Sequence, residues 1–112
     1  MKAYTDLEQA KKVAKILPLK SADMYYRPYP NNEDWYNIPN FGEAELKFNQ
    51  LPCWSLATLL DVLKYPALSQ NTSNKWLISE WTGYYPKTEW EFDNPVDACV
   101  KMIIKLHEQK LL

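Results

Sequence analysis

The feature that most constrains the fold is a helix written close to the end of the chain. Asn94 offers a side-chain cap, Pro95 takes the first helical position where its missing N–H costs nothing, and Asp97 puts negative charge in the first turn. Val96, Cys99, Val100, Ile103, Ile104, His107 and Leu111 then recur as one stripe. Met102 and Leu106 widen it, while Asp97, Lys101, Lys105 and Glu108 lie opposite. So wide an apolar arc predicts a helix packed deeply across a sheet, each buried Val or Ile contributing roughly 1.5–3 kcal/mol.

Two further helices are predicted. Thr5-Asp6-Leu7-Glu8 has the form of a capping box, with the Thr5 hydroxyl accepting from Glu8. Leu7, Ala10, Val13, Ala14 and Leu17 follow at helical spacing, and Pro18 stops the run, which sets a helix at about 5–16. Pro52 to Lys64 reads as a second helix with proline in its first turn and an apolar face of Trp54, Ala57, Leu59, Leu60 and Leu63.

The remainder reads as extended chain and loop. Ser21 to Tyr26 is predicted to be extended. Arg27 to Phe41, with three prolines and no period, reads as a long loop, and Phe41 to Phe48 as a weak edge strand. Ala67–Gln70, Lys75–Thr82 and Thr88–Phe92 read as strands of an antiparallel meander, with turn chemistry at Asn71-Thr72-Ser73-Asn74. The expected architecture is a single α+β domain over 1–112: three helices on one side of a small antiparallel sheet, the meander in the C-terminal half and a helix last.

A net charge of −1 gives no global bias toward nucleic acid or membrane. Met1-Lys2 leads straight into the first cap, and no apolar run approaches the roughly 20 residues that cross a bilayer. Cys53 and Cys99 are far apart in sequence, without metal or redox spacing. Two free thiols in a reducing cytoplasm is the plain reading, and a single disulfide is the alternative.

Three stretches carry a resemblance: Tyr4-Thr5-Asp6-Leu7-Glu8-Gln9 running to Ile16-Leu17-Pro18 and Ser21-Ala22-Asp23-Met24; Leu51-Pro52-Cys53-Trp54-Ser55-Leu56; and Asp93-Asn94-Pro95-Val96-Asp97-Ala98-Cys99 running to Leu106-His107-Glu108. Together they resemble a family of short, uncharacterised bacterial proteins found in gut bacteria and their mobile elements. The resemblance implies a cytoplasmic origin and transfers no catalytic residue.

The chain is poor in the parts of familiar active sites, with two Gly, two Cys and one His. It has no Gly-rich phosphate loop, nucleophile elbow or His-Glu-x-x-His motif. Neither a catalytic set nor a metal or cofactor site is predicted. His107 reads as a packed imidazole near a helix C-terminus, Lys11, Lys12 and Lys15 as a solvated face, and the pairs Glu43/Glu45 and Glu89/Glu91 as wet strand faces. The aromatics are abundant: five Trp, eight Tyr and three Phe. Trp54 and Trp90 are expected in the core. Tyr25, Tyr26, Trp35, Tyr36, Trp81, Tyr84 and Tyr85 are the candidate binding residues, because Trp and Tyr bury large area at small entropic cost. Tyr29 sits beside them in the predicted loop, which either presents these rings or folds them over the sheet as a lid.

The expected function is a non-enzymatic interaction module with a protein partner on this aromatic and acidic surface. The alternatives are a small-ligand module stacking sugar or base rings on Trp35, Trp81 or Tyr84, and a minimal hydrolase using paired carboxylates.

Overall fold

A computed structural model describes residues 2–28, 30, 34–39, 51–63, 67–79 and 91–110, with backbone alone at 36–39, 67 and 79. The elements run α1 (Leu7–Ala14), a single 3-10 turn (Leu19–Ser21), β1 (Met24–Pro28), β2 (Trp35–Pro39), β3 (Leu51–Cys53), α2 (Leu56–Val62), β4 (Ala67–Gln70), β5 (Trp76–Ser79) and α3 (Pro95–Glu108). The class is α+β with three helices, antiparallel pairing throughout and a helix last. The strands divide into two sheets where the sequence suggests one: β2-β1-β3, and the hairpin β4-β5. Helix α1 packs on β3, while α3 contacts β5, α2 and α1. The helices therefore touch both sheets.

Helix α3 follows its predicted cap. Asn94 Oδ1 accepts from the Asp97 N–H at 2.8 Å. Pro95, Val96, Ala98, Cys99, Val100, Met102, Ile103 and Leu106 are buried. Three packing partners explain why its apolar arc is so broad. His107 corrects the packed-imidazole expectation: it is exposed, on the rim of the stripe in the last turn.

The start of α1 differs by one residue. The cap is Asp6, whose carboxylate accepts from the Gln9 N–H at 2.8 Å, while Gln9 Oε1 accepts from the Asp6 N–H at 3.1 Å. Thr5 is not a cap; it is fully buried at 0% exposure. The reason is tertiary. Residues 3–5 are extended against the stretch after β3: the Thr5 N–H donates to the Trp54 carbonyl at 3.0 Å, the Leu56 N–H donates to the Ala3 carbonyl at 3.0 Å, and Tyr4 bridges Ser55. The helix can begin only once the chain leaves this ladder.

The second helix also starts later than expected. Leu51, Pro52 and Cys53 form β3, with Pro52 opposite Tyr25 on β1, and the cap is Ser55, whose Oγ accepts from the Thr58 N–H. Two signals compete in this stretch, a proline fit for a first helical turn and a short apolar run fit for a strand. Pairing with β1 decides for the strand, and β3 is an edge of its sheet, where proline is tolerated. Asp23 braces the new helix start by accepting from the Ser55 N–H at 2.9 Å and from the Ser55 hydroxyl.

The predicted loop 27–41 is in part a hairpin. Strand β1 runs to Pro28 and pairs antiparallel with β2, with Arg27 opposite Tyr36 and Pro28 opposite Trp35. Strand β4 falls where predicted, and β5 covers the centre of its predicted span. The turn between them is built by Asn71, whose Oδ1 accepts from the N–H groups of Ser73 and Lys75, both at 3.0 Å. Asn74 takes a left-handed φ of 61°, which Asn accommodates more readily than most residues. Phe92 makes a single antiparallel bridge to Trp76, one rung of the predicted third strand. The predicted edge strand 41–48, Trp90, Glu43, Glu45 and Glu89 lie outside the described residues.

The core has two parts. The larger joins Val13, Leu17, Trp54, Leu59, Leu63 and Ile78 to the buried face of α3. The smaller holds Ala10, Tyr26 and Cys53, with Tyr4, Leu7, Met24, Trp35 and Leu51 packed against it. Trp54 is fully buried as expected, and its indole N–H donates to Ser21 Oγ at 3.0 Å. Cys53 and Cys99 are buried free thiols.

Candidate functional site

Successive residues of a strand point to opposite faces, and β1 uses that to give its two tyrosines opposite environments. Tyr26 turns inward and is 7% exposed. Its hydroxyl donates to the Thr5 carbonyl at 2.6 Å, and its ring stands edge-on to Tyr4 with centroids 6.4 Å apart. Burial, followed by the neighbouring Cys53, pushes the phenol's pKa well above the ordinary tyrosine value. Tyr25 and Arg27 share the other face and are half-exposed. Trp35 opens β2 half-buried, packed against the Ala10, Tyr26 and Cys53 cluster.

The seven candidate binding residues thus separate. Tyr25 is accessible, Tyr26 belongs to the core, and Trp35 is divided between core and solvent. Tyr36 is placed by its backbone opposite Arg27. Trp81, Tyr84 and Tyr85 lie outside the described residues. Lys11, Lys12 and Lys15 are exposed. Glu91 is exposed and accepts from Asn71 Nδ2 at 2.9 Å.

A second constellation has no local sequence signal. Lys2 Nζ donates to Asp6 Oδ2 and to Asp97 Oδ1, both at 2.8 Å. Asp97 Oδ1 also accepts from Gln9 Nε2 at 2.6 Å, and Asp97 Oδ2 from Asn94 Nδ2 at 2.9 Å. This knot fastens the N-terminal segment, α1 and the start of α3 together. Beside it lies a cleft of about 270 Å³ lined by Lys2, Ala3, Tyr4, Asp6 and Tyr26.

The electrostatics favour a fastener over a reactive centre. Burial works to raise the pKa of Asp97, but hydrogen bonds from Lys2, Gln9 and Asn94 outweigh it and hold the carboxyl below its usual range. Burial works to lower that of Lys2, and the two aspartates outweigh it and raise it. A general base is most effective with a pKa near the working pH, and both groups are displaced away from neutrality. Burial pushes the Cys99 thiol up to about 12, far from the thiolate a nucleophile needs. Among the described residues no three His, Cys, Asp or Glu side chains gather as a metal site, and no helix is long and apolar enough to cross a membrane.

Sequence patterns could identify the caps of α3 but not the knot. Asn94 and Asp97 show their capping role within four residues, whereas their tie to Lys2 and Gln9 depends on how distant segments meet. No protein-family model, curated protein or solved structure matches the chain.

Proposed function

We propose that the protein is a non-enzymatic interaction module that seats a protein partner on the outward face of the β1–β2 hairpin. One observation carries this reading: Tyr26 is locked inside by burial and a hydrogen bond, while Tyr25 and Arg27 on the same strand stay half-exposed. Tyrosine and arginine are favoured anchors of protein interfaces, and a strand already pinned from beneath loses little further freedom when it binds. Trp35 supports the rim of this surface. Its packing against the smaller core cluster leaves less of the ring for a stacked sugar or base, which weighs against the small-ligand alternative. The two buried free thiols are in keeping with a reducing bacterial cytoplasm, and the resemblance to the short proteins of gut bacteria and their mobile elements belongs to the same proposal.

The test is a photo-reactive phenylalanine analogue at position 25, irradiated in lysate of the source cells, followed by purification of the cross-linked protein. Tyr25→Ala and Arg27→Ala should each weaken binding of that purified partner by about 2 kcal/mol, roughly 30-fold, while moving folding stability by less than about 0.5 kcal/mol. No specific adduct, or a partner that binds both variants as tightly as the parent, refutes the reading.

A further inference from the structure

The polar side of α1 and the turn that follows it are both basic and exposed, apart from the hairpin. At roughly 100° per residue, Lys11, Lys15, Glu8 and Lys12 follow one another within an arc of roughly 100°. All four are exposed, opposite the buried Ala10 and Val13. The chain then leaves the helix through Pro18, Leu19 and Lys20, also exposed. Leu19 is 51% exposed, the large apolar side chain that stands out in this way among the described residues. Ion pairs join Lys2 to Asp6 and Asp97, and Lys75 to Asp93; none of these engages Lys11, Lys12, Lys15 or Lys20. Glu8 is the one carboxylate within the arc.

We propose that this surface docks on an anionic lipid bilayer, with the four lysines over the headgroups and Leu19 entering the interface between them. The side chains present select this occupant. Protein interfaces draw on Trp, Tyr and Arg as anchors and are depleted in Lys, yet this patch has four Lys and neither Arg nor an aromatic ring. The phosphates of a nucleic-acid backbone accept lysines but do not themselves bury an aliphatic chain beside them. A bilayer takes both, because lysine stems lie along apolar surface with the ammonium in the headgroups, and a leucine gains by leaving water. Because the surface is assembled from a folded helix and turn, it binds at the membrane face without crossing the bilayer.

Sedimentation of the full chain with phosphatidylcholine vesicles, with and without about 30 mol% phosphatidylglycerol, tests this. Binding is expected to the anionic vesicles only, and to fall as salt rises from about 50 to 300 mM. Lys12→Gln and Lys15→Gln should each lower the partition constant about fivefold. Glu8→Gln should raise it, and Leu19→Gln should lower it several-fold without changing the salt dependence. All four positions are exposed, so thermal melting should be unchanged. Equal binding to both vesicle types, no binding at low salt, or insensitivity to Leu19→Gln overturns the proposal. So does a preference for duplex DNA over anionic vesicles in a competition assay.

Discussion

Replacing Thr5 with valine isolates the hydroxyl that joins the N-terminal segment to β3. The two side chains have nearly the same shape, so the change leaves no large cavity. It removes the acceptor of the Trp54 N–H at 3.1 Å and the donor to Cys53 Sγ at 3.4 Å. The sulfur contact is weak and adds little. The backbone contact matters more, because both Thr5 and Trp54 are 0% exposed and water has no access to replace the lost acceptor. An unsatisfied buried N–H costs about 1–3 kcal/mol, and the added methyl returns at most about 0.8 kcal/mol. Thr5→Val should therefore destabilise by about 1–2 kcal/mol. Thr5→Ser, which keeps the hydroxyl and loses one methyl, should cost about 1 kcal/mol through a different route. Thr5→Ala combines both losses and should be the worst of the three. Urea unfolding followed by tryptophan fluorescence gives all three values, and hydrogen exchange at the Trp54 amide separates the routes: faster in Thr5→Val, near parental in Thr5→Ser. A Thr5→Val protein within about 0.3 kcal/mol of the parent, with an equally protected Trp54 amide, would refute the reasoning.

Four further outcomes are expected. Ile103 is 0% exposed, so Ile103→Ala should destabilise by about 2–5 kcal/mol in denaturant unfolding, through lost burial and a cavity. The fold holds the Asp97 carboxyl below the ordinary aspartate pKa, so its stabilising contribution is complete above that ordinary value and is lost as pH falls through the folded pKa; Asp97→Asn should flatten the acid limb of a plot of melting temperature against pH. Lys2 has the opposite sign: its contribution is complete below 10.5 and is lost as pH rises through a folded pKa above that, so Lys2→Met should flatten the alkaline limb. Both thiols are free and buried, with that of Cys99 pushed up to about 12, so maleimide at neutral pH should spare Cys99 in the native protein and label both cysteines in denaturant without reductant.

What could be read from the sequence was whatever is decided within one turn of helix or one hairpin. The cap and inward face of α3 and the Asn71 turn are local matters, and the residues concerned carry their own instructions. What could not be read depends on a distant partner. Thr5-Asp6-Leu7-Glu8 and Asp6-Leu7-Glu8-Gln9 are both plausible capping boxes, and the choice between them is made by Trp54, 49 residues further on. Pro52 suits a helix start or an edge strand equally well, and β1 chooses. Tyr25 and Tyr26 read alike as neighbouring aromatics, and the partner that receives the inward one, the Thr5 carbonyl, lies 21 residues away in sequence. The knot of Lys2, Gln9 and Asp97 joins residues 95 and 88 apart in sequence, beyond any periodic pattern.

The order in which a ribosome releases the chain gives those long spans a consequence. Residues 2–6 emerge before their ladder partners, which follow 49 residues after Thr5, and before Asp97, which follows 95 residues after Lys2. Contacts so remote in sequence close late, since the loop between them must be ordered before either end gains from meeting. Helix α1, only eight residues long, is too short to persist alone in water and must wait for them. During synthesis its apolar stripe of Leu7, Ala10, Val13 and Leu17 lacks its partners on β3 and α3, and the lysines on the opposite side of the helix keep the nascent segment charged while it waits.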